Sequence, residues 1–149
     1  MRVLLNIIAV ATLALAGCAA NHPAAQAAAK HDFMLESLGN GIYVHHGEHL
    51  DIDDGYTGDI CNISFVVGER GVAVIDTGGS LKVGQQLRAA IQKITDKPIL
   101  YVINTHVHPD HIFGNAAFLT DKPKFIGHEK LEQAMHTRKD GYDKLNQRY

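Results

Sequence analysis

Apolar positions along the chain fall into short blocks, and the period within each block predicts its element. Gly41-Ile-Tyr-Val-His-His46 predicts a short strand, reached through the turn-forming Gly39-Asn40-Gly41. The stretch 47–59 is acidic, punctuated by glycine and without a sustained period, which predicts a loop or loose hairpin. Ile63-Ser-Phe-Val-Val67 and Val72-Ala-Val-Ile75 are β-branched runs separated by Gly68-Glu-Arg-Gly71, a turn suited to a hairpin. Their continuous apolar character predicts strands covered on both faces.

The period then lengthens. Val83, Leu87, Ala90, Ile91 and Ile94 recur at helical spacing behind Ser80, which predicts an amphipathic helix capped by Ser80 and stopped by Lys97-Pro98. Ile99-Leu-Tyr-Val-Ile103 predicts another buried strand. Strand, helix and parallel return form a βαβ-like unit, so the fold class is α/β in the mixed (α+β) sense. Further on, the pattern predicts a short helix over 114–119, a strand at Lys124–Ile126 and a helix from Glu129 onward. That last helix is polar, with Leu131, Met135, Tyr142 and Leu145 as its few apolar residues.

The first residues do not belong to this pattern. Residues 1–16 carry one Arg, no acid, and an apolar run too short for a comfortable membrane span, which is the pattern of a secretory signal. Leu15-Ala16-Gly17-Cys18 resembles the lipobox of bacterial lipoproteins, which implies cleavage before Cys18 and lipidation of that residue. An ordinary cleaved signal with an incidental cysteine is the other reading. The expected organisation is a signal at 1–17, an Ala-rich tether at 18–32 and a folded domain at 33–149. The expected location is the bacterial periplasm or cell envelope, with the protein anchored to a membrane through Cys18.

Composition narrows the function classes. A chain of 149 residues has room for one ordinary domain. With 14 Lys+Arg against 16 Asp+Glu it lacks the basic excess of a nucleic-acid binder, and no nucleic-acid partner is expected. Two cysteines make no disulfide framework, and Cys61 reads as a small buried hydrophobe rather than a nucleophile. The high count is histidine, with ten residues.

Three of these histidines and an aspartate lie in Thr105-His-Val-His-Pro-Asp-His111, directly after a predicted buried strand. His106 and His108 are two apart, so extended backbone turns both imidazoles to one side. Pro109 biases His108 away from helix. Asp110 and His111 are adjacent and expected to diverge, which suits a second ion beside the first. Imidazoles with a carboxylate are a ligand set for Zn²⁺, with Fe or Mn open at the same geometry. His45, His46 and His49, with Glu48, Asp51, Asp53 and Asp54, form a second polar cluster. It is expected to be a solvated hairpin loop that shapes a substrate cleft, in preference to an accessory metal site.

The 105–111 motif resembles the signature of the metallo-β-lactamase superfamily, and Val74-Ile-Asp-Thr-Gly78 resembles its upstream strand-end motif. The wording around both is most similar to the quinoprotein relay system zinc metallohydrolase branch. The resemblance runs over roughly residues 41–118. It implies that His106 and His108 bind a first metal, and that Asp110 and His111 bind a second. It makes Asp76 an outer partner that hydrogen-bonds near the ligands, a role compatible with capping the strand–helix turn. The implied cofactor is Zn²⁺, two ions in the complete domain. The implied chemistry is attack of a metal-activated hydroxide on an ester, thioester or amide carbonyl of a small molecule, β-lactams included. Asp110 is the expected catalytic residue, orienting the nucleophile and managing its proton.

The implied fold is an αββα sandwich, and this chain matches its N-terminal half. The superfamily pattern needs further His and acidic ligands well downstream, and His128 and His136 lie too close to the motif to match. A truncated hydrolase is therefore the leading expectation. The alternative is a non-catalytic envelope lipoprotein that binds metal or a quinoprotein-system partner.

Overall fold

The computed structural model describes residues 33–50 and 56–148, without side chains for the last four of them. The expected signal at 1–17, the tether at 18–32 with Cys18, and Asp51, Asp53, Asp54 and the Leu145 side chain fall outside the described residues. Among the described residues, no helix is long and apolar enough to cross a membrane.

Six strands pair in chain order: β1 (Glu36–Gly39), β2 (Ile42–His45), β3 (Ile63–Val67), β4 (Val72–Ile75), β5 (Ile99–Ile103) and β6 (Lys124–Ile126). The first four form an antiparallel meander, and β4–β5 and β5–β6 are parallel. Helix α1 (Leu81–Ile94) makes the first parallel crossover. The second consists of the single turn α2 (Pro109–Ile112) and a 3-10 helix at Phe113–Asp121. Helix α3 (Leu131–Arg148) follows β6. The mixed fold class expected from the sequence is the one observed.

Alternation fixes the packing. Ile63, Phe65, Val72, Val74, Ile99 and Val102 face α1, whose Val83, Leu87 and Ile91 lie in the same apolar cluster with Phe118 of the 3-10 helix. Leu87 and Phe118 are fully buried, each contributing about 2–3 kcal/mol of transfer free energy. Ser80 accepts a hydrogen bond from the Val83 amide at 3.2 Å and caps α1 as expected.

Three expectations are corrected. Among the described residues the strands are not fully covered on both faces: Val44, Val66, Ala73, Ile75, Tyr101 and Ile103 share the face opposite α1 and are only half-buried. An apolar run marks a strand able to be covered, but the second layer is a separate matter. Ile94 is 38% exposed, so the buried face of α1 ends at Ile91. The sequence pattern also missed β1, whose residues are all exposed and therefore carry no apolar alternation. Its turn to β2 needs left-handed backbone at Gly39, Asn40 and Gly41 (φ 81°, 50° and 78°), which the Gly-Asn-Gly sequence tolerates.

Candidate metal centre

The site lies at the C-terminal ends of the parallel strands β4 and β5. Asp76 follows β4 with φ 56°, a left-handed conformation that Asp accepts more readily than most residues. Its buried carboxylate takes three bonds. Oδ1 accepts from the Thr105 amide at 2.8 Å, and Oδ2 accepts from the Thr105 hydroxyl at 2.6 Å and from His111 Nδ1 at 2.8 Å. Asp76 thus ties the end of β4 to the residue after β5 and sets the rotation of the His111 ring.

The motif is held by backbone as well. His108 is extended (φ −67°, ψ 144°), and Pro109 opens α2 with its φ already suited to a helix. The Thr77 amide donates to the His111 carbonyl at 2.9 Å, and the Gly114 amide donates to Gly78 at 2.9 Å. Asn104 and Asn115 exchange side-chain bonds, at 3.1 Å (Nδ2 of Asn104 to Oδ1 of Asn115) and 2.9 Å in return. The Thr77 hydroxyl adds a 2.9 Å contact to Asn115 Oδ1. The 3-10 helix is therefore fastened to both strand ends.

The three imidazoles of the motif gather, although the chain bends at 106 and 107 instead of running extended. The His106 ring lies 4.7 Å from that of His108 and 4.0 Å from that of His111. Because the Thr105 hydroxyl gives its proton to Asp76, its 2.9 Å contact with His106 Nδ1 requires the nitrogen to be the donor. Nε2 of His106 then keeps a free lone pair. Burial, followed by the neighbouring His111 and His108, lowers the His106 pKa from 6.5, which favours the neutral form that can ligate.

The expectation that Asp110 and His111 diverge is wrong. His111 Nε2 lies 3.2 Å from Asp110 Oδ2, because the single turn of α2 lets the carboxylate fold back over the next side chain. One imidazole is thus flanked by carboxylates at both nitrogens, Asp76 at Nδ1 and Asp110 at Nε2. With Nδ1 turned to Asp76, Nε2 and Asp110 Oδ2 face the same point. Donors about 2.0–2.2 Å from a shared ion stand roughly 3.3 Å apart, so the observed edge fits a divalent cation.

Two groups of three donors converge within 4.8 Å of one another among the described residues: Asp76, His106 and His111, and Cys61, Asp110 and His111. Asp76 already accepts three hydrogen bonds from Thr105 and His111, which suits it to orienting rather than ligating. His108 belongs to neither group and is exposed. Cys61 is buried, and its thiol donates to the Asp110 carbonyl at 2.7 Å. Burial, then the charges of Asp110, Asp76 and Asp59, push its pKa up to about 12. It is no free nucleophile, in keeping with the expectation from its sequence context.

The second polar cluster divides. His45 is buried, not solvated: Nδ1 bonds the Met34 carbonyl, Nε2 lies 2.8 Å from Asp59 and the ring stacks on Phe33. His46 is exposed and pairs with Glu36 across the β1–β2 hairpin at 2.7 Å.

A family model described as the metallo-beta-lactamase superfamily matches residues 56–148. The chain belongs to that superfamily. Solved metallo-beta-lactamases share the fold. The enzyme from Hirschia baltica aligns at TM-score 0.59 and 18% identity, over 70% of this chain and 47% of that one. FIM-1 from Pseudomonas aeruginosa, in its mono-zinc form, aligns at TM-score 0.57 and 19% identity, over 70% and 45%. In sequence, the chain is 42% identical over 62 residues to the linear primary-alkylsulfatase of Pseudomonas sp. (strain ATCC 19151). That match covers 42% of this chain and 12% of the sulfatase, so the chain spans only a fraction of the relatives it resembles. Superfamily membership makes metal-dependent hydrolysis the general context of the site.

Sequence reasoning named Asp76, His106, His108, Asp110 and His111, and overlooked the positioning roles of Thr77, Asn104 and Thr105. Their signal is polar residues standing at the ends of buried apolar strands, where an unpaired side chain is costly.

Proposed function

We propose that this chain binds a divalent cation through His106, His108, Asp110 and His111, and contributes these groups to hydrolysis of an ester, thioester or amide bond in a small molecule. The carrying observation is the His111 ring, held by Asp76 on one side and closed upon by Asp110 on the other. A divalent cation bound there supplies Lewis-acid polarisation and lowers the pKa of water towards about 7.

The remaining work falls to the chain. Asp76 holds His111 in the tautomer that presents Nε2, and Thr105 does the same for His106. The Asp110 carboxylate stands where it can orient a water and take its proton. His108, extended and beside His106, completes the imidazole set once a ligand draws it inward. Zn²⁺ suits these donors, and two ions are proposed for the whole site, with Fe or Mn as the other fits.

The likeness to a linear primary-alkylsulfatase favours a second substrate class, alkyl sulfate esters, on the same groups. The pattern of residues 1–18 supports export and lipidation at Cys18. In that case, Cys18→Ala moves the protein from the membrane fraction to the soluble fraction.

Metal analysis of the protein, with turnover of a thioester, a carboxylic ester, a β-lactam and an alkyl sulfate, tests the reading. His106→Ala is expected to lose bound metal and hydrolysis together. Protein without Zn, Fe or Mn, or hydrolysis unchanged by His106→Ala, would overturn it.

A further inference from the structure

The sequence gives Cys61 no partner, yet the fold carries it 49 residues back along the chain to the edge of the metal motif. Its sulfur, a carboxylate oxygen of Asp110 and a ring nitrogen of His111 lie within 4.8 Å of one another. Thiolate, imidazole and carboxylate together are a Zn²⁺ donor set, with Zn–S near 2.3 Å and Zn–N near 2.0–2.1 Å. Sulfur and nitrogen on one tetrahedral ion therefore stand roughly 3.6 Å apart, a span reached here by small side-chain movement.

We propose that Cys61 is a protein ligand to the cation held by Asp110 and His111, giving that position a sulfur donor. The inference rests on the metal-binding reading above and adds to it a residue outside the His-x-His-x-Asp-His motif.

One further observation favours it over plain packing: the buried Cys61 thiol, 6% exposed, is turned to the polar motif, with its sulfur 2.7 Å from the Asp110 carbonyl. In the metal-free protein the thiol proton points at the Asp110 carbonyl. On coordination the S–H bond breaks, the sulfur lone pair binds the cation and the proton passes to solvent, one proton per sulfur–metal bond.

The test uses the full chain in a Cys18→Ser background, which leaves Cys61 as the single thiol. Co²⁺ is titrated into metal-free protein and followed by absorption. The expected result is an intense sulfur-to-cobalt charge-transfer band in the near ultraviolet above weak d–d bands. With Cys61→Ser or Cys61→Ala the charge-transfer band disappears while the d–d bands persist. A second measurement keeps Cys61 intact: Cd²⁺ titrated into the metal-free protein is expected to give a sulfur-to-cadmium charge-transfer band in the ultraviolet that a chelator removes. Visible d–d bands without charge transfer to Co²⁺ or Cd²⁺ would overturn this inference and leave the metal-binding reading standing. Absence of any cobalt spectrum would overturn both.

Discussion

Asp76 Oδ2 accepts a hydrogen bond from His111 Nδ1 at 2.8 Å, and this contact couples the end of β4 to the metal motif 35 residues later. The same carboxylate also holds Thr105, so its charge and its geometry act together. Asp76→Asn separates them, because Asn tolerates the left-handed backbone that this position adopts. The variant is expected to fold and to bind Zn²⁺ roughly 10–100-fold more weakly. Competition with a chromophoric chelator measures the loss, and unchanged affinity would show that Asp76 only caps the turn.

Gly114 permits the 3-10 helix to press against the β4–α1 loop. A Cβ there would run into the Thr77 carbonyl oxygen, which is backbone and cannot swing aside. Gly114→Ala must therefore separate Thr77 from the 3-10 helix and disturb the bond from the Thr77 amide to the His111 carbonyl. A destabilisation of about 1–3 kcal/mol is expected, with weaker metal binding in addition. Urea denaturation gives the first effect and the chelator competition the second; a variant as stable as the parent would mean the loop adapts freely.

Arg88 fastens α1 to the end of the 3-10 helix, with Nε and an Nη of the guanidinium 2.6 Å and 2.8 Å from the two oxygens of Asp121. Both side chains are partly buried, and the paired geometry is one that Lys cannot reproduce. Arg88→Lys is expected to cost about 1 kcal/mol, and Arg88→Ala more, since the stem also covers apolar surface. Thermal denaturation of the two variants side by side is the check. Equal losses would mean that the forked pair carries the effect, and no loss in Arg88→Lys would mean that packing of the stem carries it.

The sequence was informative where one feature constrained one element. Val83, Leu87 and Ile91 disclosed a helix face, and Ser80 its cap, because both depend on residues close along the chain. The 105–111 motif disclosed the imidazole cluster for the same reason: His106 and His108 are close in the chain, and their rings stand 4.7 Å apart although the backbone bends at 106 and 107. What remained hidden depends on contacts between distant residues. The approach of Asp110 to His111 Nε2 requires the α2 turn, and the Cys61 contact with Asp110 requires β3 and the motif to be neighbours in space. The edge strand β1 has no apolar face to betray it, and its Glu36–His46 pair joins residues ten apart in the chain.

His45 predicts a pH dependence distinct from metal binding. Burial alone would lower its pKa, but the bonds to Asp59 and the Met34 carbonyl and the charges of Asp59 and Glu48 outweigh burial and raise it above 6.5. The geometry agrees, because Nδ1 and Nε2 both face acceptors and only the imidazolium donates from both. A pKa raised on folding means that the folded state holds the proton more tightly than the unfolded chain. The resulting stability is fully present below about pH 6.5 and is lost as pH rises through the folded-state value. The parent protein is therefore expected to lose stability from mildly acidic to mildly alkaline pH, and Asp59→Asn to flatten that slope. Asp59→Asn is expected to cost about 1.5–3 kcal/mol at the acidic end and progressively less above it. Urea midpoints across this pH range, with metal absent from both proteins, measure the difference; parallel curves for the two would sink the idea that His45 is a charged clasp holding residues 33–35 to the sheet.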